Sequence, residues 1–369
     1  GQRDYDGTLM VSDLLPDEFY LELARALDQR REGFMEFTQF TAIPNDPLGL
    51  TKDFEFNTRL AHTSGRPVLY NAVIPDDRKS VVYEAQLAWL DQANNGGARI
   101  FGETQTVRAP ATFTFEDWNL FDNSEIWCQA TLGNAEERMR KLSVPATRAA
   151  MREEYDRGEV PIDLFGKLET FIAQKVHDPK LAERYQGRVA KEIAESEGKH
   201  VIDAILDLSV GDRLRTEWRT PVVNADPRHI ARVMSSPYTL PGLSDGGAHT
   251  KFFTQGVWAT DFLSWLVRDA GVITIEEAHF RLSGLMAWAA SFHDRGVLRE
   301  GMAADVLVYD LARLGMGPTE VAFDIPAGEW RRIQRATGYR WILVNGAVTF
   351  EEGQPTGALS GQLLRHGRA

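Results

Sequence analysis

Beyond Leu15, short apolar runs alternate with amphipathic stretches. Residues 17–29 set Phe19, Leu21, Leu23, Ala24 and Leu27 at helical spacing, with Asp17 near the start as the expected cap. Gly33 stops this helix, and residues 34–40 read as a strand. A second helix over 53–63 ends near Gly65 and leads into a strand over 67–73 (PVLYNAV). A third, over 83–93, stops at Asn94-Asn95-Gly96-Gly97 before a strand over 99–104. Helix, glycine stop and apolar strand in repetition predict a parallel sheet built from βα units.

Residues 109–132 break the rhythm. They are aromatic and polar (Phe113, Phe115, Trp118, Phe121, Trp127) and too long for a simple βα connection. Packing in a core is preferred over a lid that shapes an acyl pocket. Stretches 134–157 and 167–196 are rich in helix formers whose charges belong on solvated faces, and further helices are expected over 201–208, 257–269 and 275–290. The tail differs in kind. A turn at 301–305 precedes an apolar run over 306–309, and apolar runs over 341–344 and 347–350 flank Asn345-Gly346, a strong hairpin signal. The expected organisation is an α/β body over 1–296, with a helical excursion at 109–200, followed by a β element over 297–369.

Charge and composition narrow the function. The 369 residues carry a net charge of −12 with no basic patch to offset it, which argues against nucleic acid as a partner. No apolar stretch is long enough to span a bilayer, so no membrane partner is expected. The single cysteine, Cys128, permits no internal disulfide and suggests a reducing, cytoplasmic setting; it reads as a packed side chain. The chain opens on Gly1 without a targeting pattern, and we read it as the C-terminal part of a longer protein.

None of the eight histidines forms HxH or HExxH, and Walker A, GxGxxG and GxSxG motifs are absent. His62 and His279 read as surface or packing residues, and Lys251 as a surface lysine. The segment that looks built for chemistry is Leu243-Ser244-Asp245-Gly246-Gly247-Ala248-His249, where a carboxylate leaves an apolar strand into a double glycine. An Asp-Gly-Gly turn whose carboxylate caps its own backbone explains the same residues, and spacing alone favours that reading.

Resemblance shifts the balance. GLSDGGAH at 242–249 resembles the strand-eight motif of the amidohydrolase superfamily, in its N-acyl-D-amino-acid deacylase (D-aminoacylase) branch. DRGVLREGMAADVLVYD at 294–310 is similar to the passage where such chains leave the barrel, and WILVNGAVTFEEGQPTGALSGQLLR at 341–365 to their closing segment. The resemblance implies an α/β fold, a partial TIM-like (β/α)8 metal-dependent hydrolase barrel followed by part of a small composite β domain. It further implies hydrolysis of linear amide C–N bonds in an N-acylated amine or amino acid. Metal-bound water would be the nucleophile, with zinc or another divalent metal as cofactor and Asp245 as metal contact and proton shuttle. The family's HxH pair has no counterpart and is expected upstream of Gly1. The two middle strands, FMEFTQF and PVLYNAV, carry Thr38, Gln39 and Asn71 where the family places histidines, and amides bind zinc poorly. Gln39, Asn71 and His249 are the substrate-binding candidates, and Glu103 and Gln105 face the same edge if the strands are read correctly. The alternatives are a cyclic-amide (dihydropyrimidinase- or hydantoinase-like) hydrolase on the same barrel, or a binding or scaffold homologue without chemistry.

Overall fold

The computed structural model describes residues 8–38, 47–108, 110–117, 120–121, 124–160, 166–246 and 249–365. Its central feature is a parallel sheet of four strands, β1 (Met35–Thr38), β2 (Val68–Val73), β3 (Ile100–Thr104) and β7 (Thr239–Pro241), in the order β1-β2-β3-β7. Helices Pro47–Ser64 and Ser80–Asn95 make the crossovers from β1 to β2 and from β2 to β3. This is the βα repetition expected from the glycine-punctuated sequence.

Alternation along the strands decides which face meets the helices. Met35, Val68, Tyr70, Val73 and Ile100 are buried in one core with Phe56, Leu60, Leu87, Leu90 and Phe262. Their neighbours Glu36, Leu69, Asn71 and Glu103 point the other way and remain exposed or half-buried. Successive strand residues face opposite sides, so the second face carries Glu36, Asn71 and Glu103 together with Leu69, Phe101 and Leu240, which pack against Leu285 and Ala289. Helix Ser80–Asn95 fits because Tyr83, Gln86, Leu87, Leu90 and Ala93 recur every three or four residues on its buried side. Asn94 ties its end to β3, donating to the Ile100 carbonyl at 2.9 Å and accepting the Ile100 N–H at 3.1 Å.

Between β3 and β7 the chain builds a second core. Strands β4 (Thr112–Phe113), β5 (Ile172–Lys175) and β6 (Glu217–Arg219) form an antiparallel sheet ordered β4-β6-β5, with helices packed around it. Phe113, Phe115, Phe121 and Trp127 are all buried here, with Phe121 and Trp127 stacked at 4.2 Å between ring centroids. These aromatic residues therefore serve as core, Trp118 lying outside the described residues, and Cys128 is buried beside them.

Three local expectations change. Asp17 is the first helical residue and makes no cap; it pairs with Arg59 at 3.2 Å instead. The stretch over 167–196 contains β5 as well as helices, because Phe171 and Ala173 pack into the second core and Ile172–Lys175 pairs with β6. The helix expected over 257–269 begins as a 3-10 turn and widens into π-helical form over Phe262–Asp269.

The C-terminal part holds β8 (Val306–Tyr309), β11 (Tyr339–Val344), β12 (Ala347–Glu351) and β13 (Gln354–Pro355) in one antiparallel sheet ordered β13-β12-β11-β8. Asn345 and Gly346 lie at φ 48° and 81°, as the tight turn requires. A long hairpin that the sequence pattern does not announce, β9 (Gly315–Ile325) with β10 (Glu329–Thr337), lies between β8 and β11 and bonds back to the α/β body through Arg332. Among the described residues no helix is long and apolar enough to cross a membrane.

Candidate functional site

The open face of the parallel sheet gathers the sequence's candidate residues at the C-terminal ends of its strands. Thr38, Asn71, Glu103 and Leu240 lie side by side in register across β1, β2, β3 and β7. Four residues past the end of β7 comes Asp245, half-buried, at φ 47°. That left-handed conformation is one aspartate adopts more readily than most residues. Gly242 makes the exit from β7 possible. Its φ is 128°, and an added Cβ would sit 3.0 Å from the Trp258 ring.

His249 follows one turn later, its N–H donating to the Asp245 carbonyl at 3.3 Å. The imidazole packs against Phe252 and Phe253, with ring centroids 5.9 and 5.8 Å away. Asp245, His249 and Asn71 are thus on one end of the sheet, whereas Gln39, Gly247 and Ala248 lie outside the described residues. His279, as its sequence position suggested, is a packing residue: its Nε2 meets the Tyr309 hydroxyl at 2.6 Å.

Glu103 is the group whose chemistry the sequence undersold. Burial pushes its carboxyl up to about 7, the Glu36 carboxylate adds to the rise by charge and by a hydrogen bond, and Asp245 adds a smaller repulsion. A hydrogen bond from Asn71 works in the opposite direction. Its Oε2 is buried without a hydrogen-bond partner among the described residues. Near neutral pH, Glu103 is therefore poised between carboxylic acid and carboxylate, on a face whose other charged groups, Glu36 and Asp245, are also acidic.

Behind this edge lies a layer of buried amides. Gln105 donates to Gln255 at 2.8 Å, and Asn224 donates to the Gln105 carbonyl at 2.8 Å. The layer connects the end of β3 to the chain on either side of β7, and it fixes Gln105 as a structural group rather than a ligand contact. Sequence position at a strand end was the only signal for it.

The strand positions on this face offer carboxylate and amide oxygens rather than imidazole or thiolate, which are zinc's preferred protein ligands. Among the described residues no three His, Cys, Asp or Glu side chains form a group suited to hold a metal ion. The face alone therefore does not fit a zinc centre. What it holds is a half-buried carboxylate on a glycine-rich exit, Asp245, near enough to Glu103 to repel its charge.

No family model matches the chain. A Mycobacterium tuberculosis protein of uncharacterised function is 30% identical over 255 residues, which cover 63% of this chain and 39% of that protein. D-aminoacylase of Alcaligenes xylosoxydans xylosoxydans is 28% identical over 180 residues, covering 48% of this chain and 34% of the enzyme. N-acyl-D-aspartate deacylase of the same organism is 28% identical over 198 residues, covering 52% and 37%. The chain thus spans between a third and two-fifths of the curated relatives it matches. Among solved structures, a D-aminoacylase described with a binuclear metal centre superposes with a TM-score of 0.55 at 18% identity, over 94% of this chain and 58% of that one. N-acyl-D-glutamate deacylase of Bordetella bronchiseptica, in complex with zinc and a phosphonate mimic of the tetrahedral intermediate, gives 0.51 at 18% identity, over 94% and 60%. The fold is therefore the mixed α/β fold of D-aminoacylase relatives, as the resemblance implied.

Proposed function

Starting from a chain that is D-aminoacylase-like within the amidohydrolase superfamily, we propose that the protein hydrolyses the linear amide bond of an N-acylated amino acid. The observation that carries this reading is the placement of Asp245. It leaves β7 through Gly242 to stand over the strand ends, within the segment that resembles the family's strand-eight motif.

Water adds to the amide carbon and the C–N bond breaks, giving a carboxylate and an amine. Asp245 takes the proton from the attacking water and returns it to the departing nitrogen. We assign Asn71 and His249 as contacts for the acyl oxygen or the amino-acid part. Glu103 tunes the local charge, because its protonation near neutral pH lessens the negative charge beside Asp245. Zinc or another divalent metal is the cofactor that the resemblance implies. Its ligands would have to include residues beyond those on this face.

The test is amine release by the complete protein from a panel of N-acetyl amino acids of both configurations. Release from D-configured substrates is the expected result. A panel on which no amine appears, with the protein folded and supplied with zinc, overturns the reading in favour of a binding or scaffold role.

A further inference from the structure

The β9–β10 hairpin presents alternate residues of one strand to the segment that follows Asp245. Trp330, Arg332 and Gln334 of β10 share a face, since strand side chains alternate. Thr254 donates to the Gln334 side chain at 2.9 Å. The Lys251 ammonium sits 4.8 Å from the centroid of Trp330 and pairs with Asp117 at 2.9 Å and Glu329 at 3.0 Å. Arg332 makes the densest set of bonds. Its main-chain N–H donates to the Thr250 carbonyl at 2.8 Å, its Nε to the Lys251 carbonyl at 3.0 Å, and its guanidinium pairs with Glu217 of β6 at 2.8 Å.

The Arg332 and Glu217 side chains are only 8% and 13% exposed, so the pair is shielded from water. A charge this buried is costly unless fully partnered, which makes its geometry demanding. The segment it grips is itself bonded to Asp245. The His249 N–H meets the Asp245 carbonyl, the His249 carbonyl accepts from Phe252 and Phe253 at 2.8 and 3.0 Å, and the Phe252 carbonyl accepts from Thr112. Hairpin, Asp245 segment and second core thereby meet at Arg332, alongside the Thr254, Lys251 and Phe252 links.

We propose that Arg332 is a positioning residue for Asp245, the hairpin acting through the 249–254 segment to hold that carboxylate over the strand ends. As a statement about catalysis this rests on the function proposed above. As a statement about the segment's order it stands on the hydrogen bonds alone. Arg331 provides the control: it sits on the opposite face of β10 and, among the described residues, bonds only within the hairpin, to Asp324 at 2.7 Å.

The experiment compares wild type, R332A and R331A in the complete protein by amide hydrogen exchange and by amine release. In R332A the amides of His249, Phe252 and Phe253 are expected to exchange about tenfold faster, because local opening costs less once the clamp is gone. With N-acetyl amino acid as substrate, kcat should fall about tenfold while KM stays within about twofold, the pattern of a misplaced reacting group. R331A should match wild type in both. Unchanged exchange in R332A overturns the proposal, as does a kcat equal to wild type alongside faster exchange. Should R332A fail to fold, Gln334→Ala removes the bond to Thr254, along with one to the Gly317 carbonyl inside the hairpin, and takes its place. Faster exchange at the same amides with a lower kcat then supports the proposal, and wild-type behaviour in either overturns it. If wild type releases no amine, the functional reading fails and the exchange comparison alone decides the hairpin's role.

Discussion

Replacing Asp245 with asparagine is expected to lower kcat for amide hydrolysis by about 10²–10⁴-fold, the range that a positioned acid–base group contributes. Asparagine keeps the shape and tolerates the same left-handed backbone but cannot accept and return a proton. The Asp245 carboxylate makes no hydrogen bond among the described residues, its carbonyl being the atom that holds His249. The fold should therefore survive, with thermal stability within about 0.5 kcal/mol of wild type, as for a substitution outside packed or paired positions. The check is amine release together with a melting curve. Full turnover in the variant would remove Asp245 from the reaction.

The second large effect is on stability. Glu103 titrates at about 7 in the folded chain, above an ordinary glutamate near 4.5, because burial and Glu36 disfavour its charged form. A group raised on folding binds its proton more tightly in the native state. Its contribution is full below the ordinary value and is lost as pH rises through the folded value, so the window runs from about 4.5 to about 7. After allowance for the solvent that reaches this half-buried side chain, the loss amounts to about 2 kcal/mol. Glu103→Gln mimics the protonated form at every pH. Denaturant titrations at pH 5 and pH 8 should find variant and wild type close at the lower pH and the variant ahead by about 2 kcal/mol at the higher. An equal difference at both would show that Glu103 does not titrate in this window.

How much of this the sequence disclosed follows from the range over which each feature is determined. The parallel sheet was legible over its first three strands, because each is apolar where it meets the helices and a glycine or asparagine stop stands before it. The Asn345-Gly346 turn was legible because only a few residues adopt its backbone, and local chemistry selects them. Asp245 was visible as a turn residue from spacing and as a reacting group only through the motif around it. The elevated protonation of Glu103 was not visible at all: it arises from burial, with Glu36 on β1, two strands away, adding to it, and both depend on tertiary register that no local pattern encodes.

The hairpin escaped for a different reason. Its facing residues, Trp330, Arg332 and Gln334, bond to a distant segment through polar and cationic groups rather than burying an apolar stripe. Alternation of polar with polar gives no hydrophobic period to read. Strand β5 is similar, four residues long in a stretch dominated by helix formers, and it exists because β6 and the second core accept it. Tertiary partners, not local preference, made both elements.

The measurement that reaches the central claim most directly is a structure of the complete protein with a tetrahedral phosphonate analogue of an N-acyl amino acid. A phosphonate oxygen is expected within hydrogen-bond distance of the Asp245 carboxylate, above the ends of β2 and β3, with Asn71 or His249 in contact with the ligand. A phosphonate seated away from that edge, with Asp245 turned into its own Asp-Gly-Gly turn, would contradict the role assigned to Asp245.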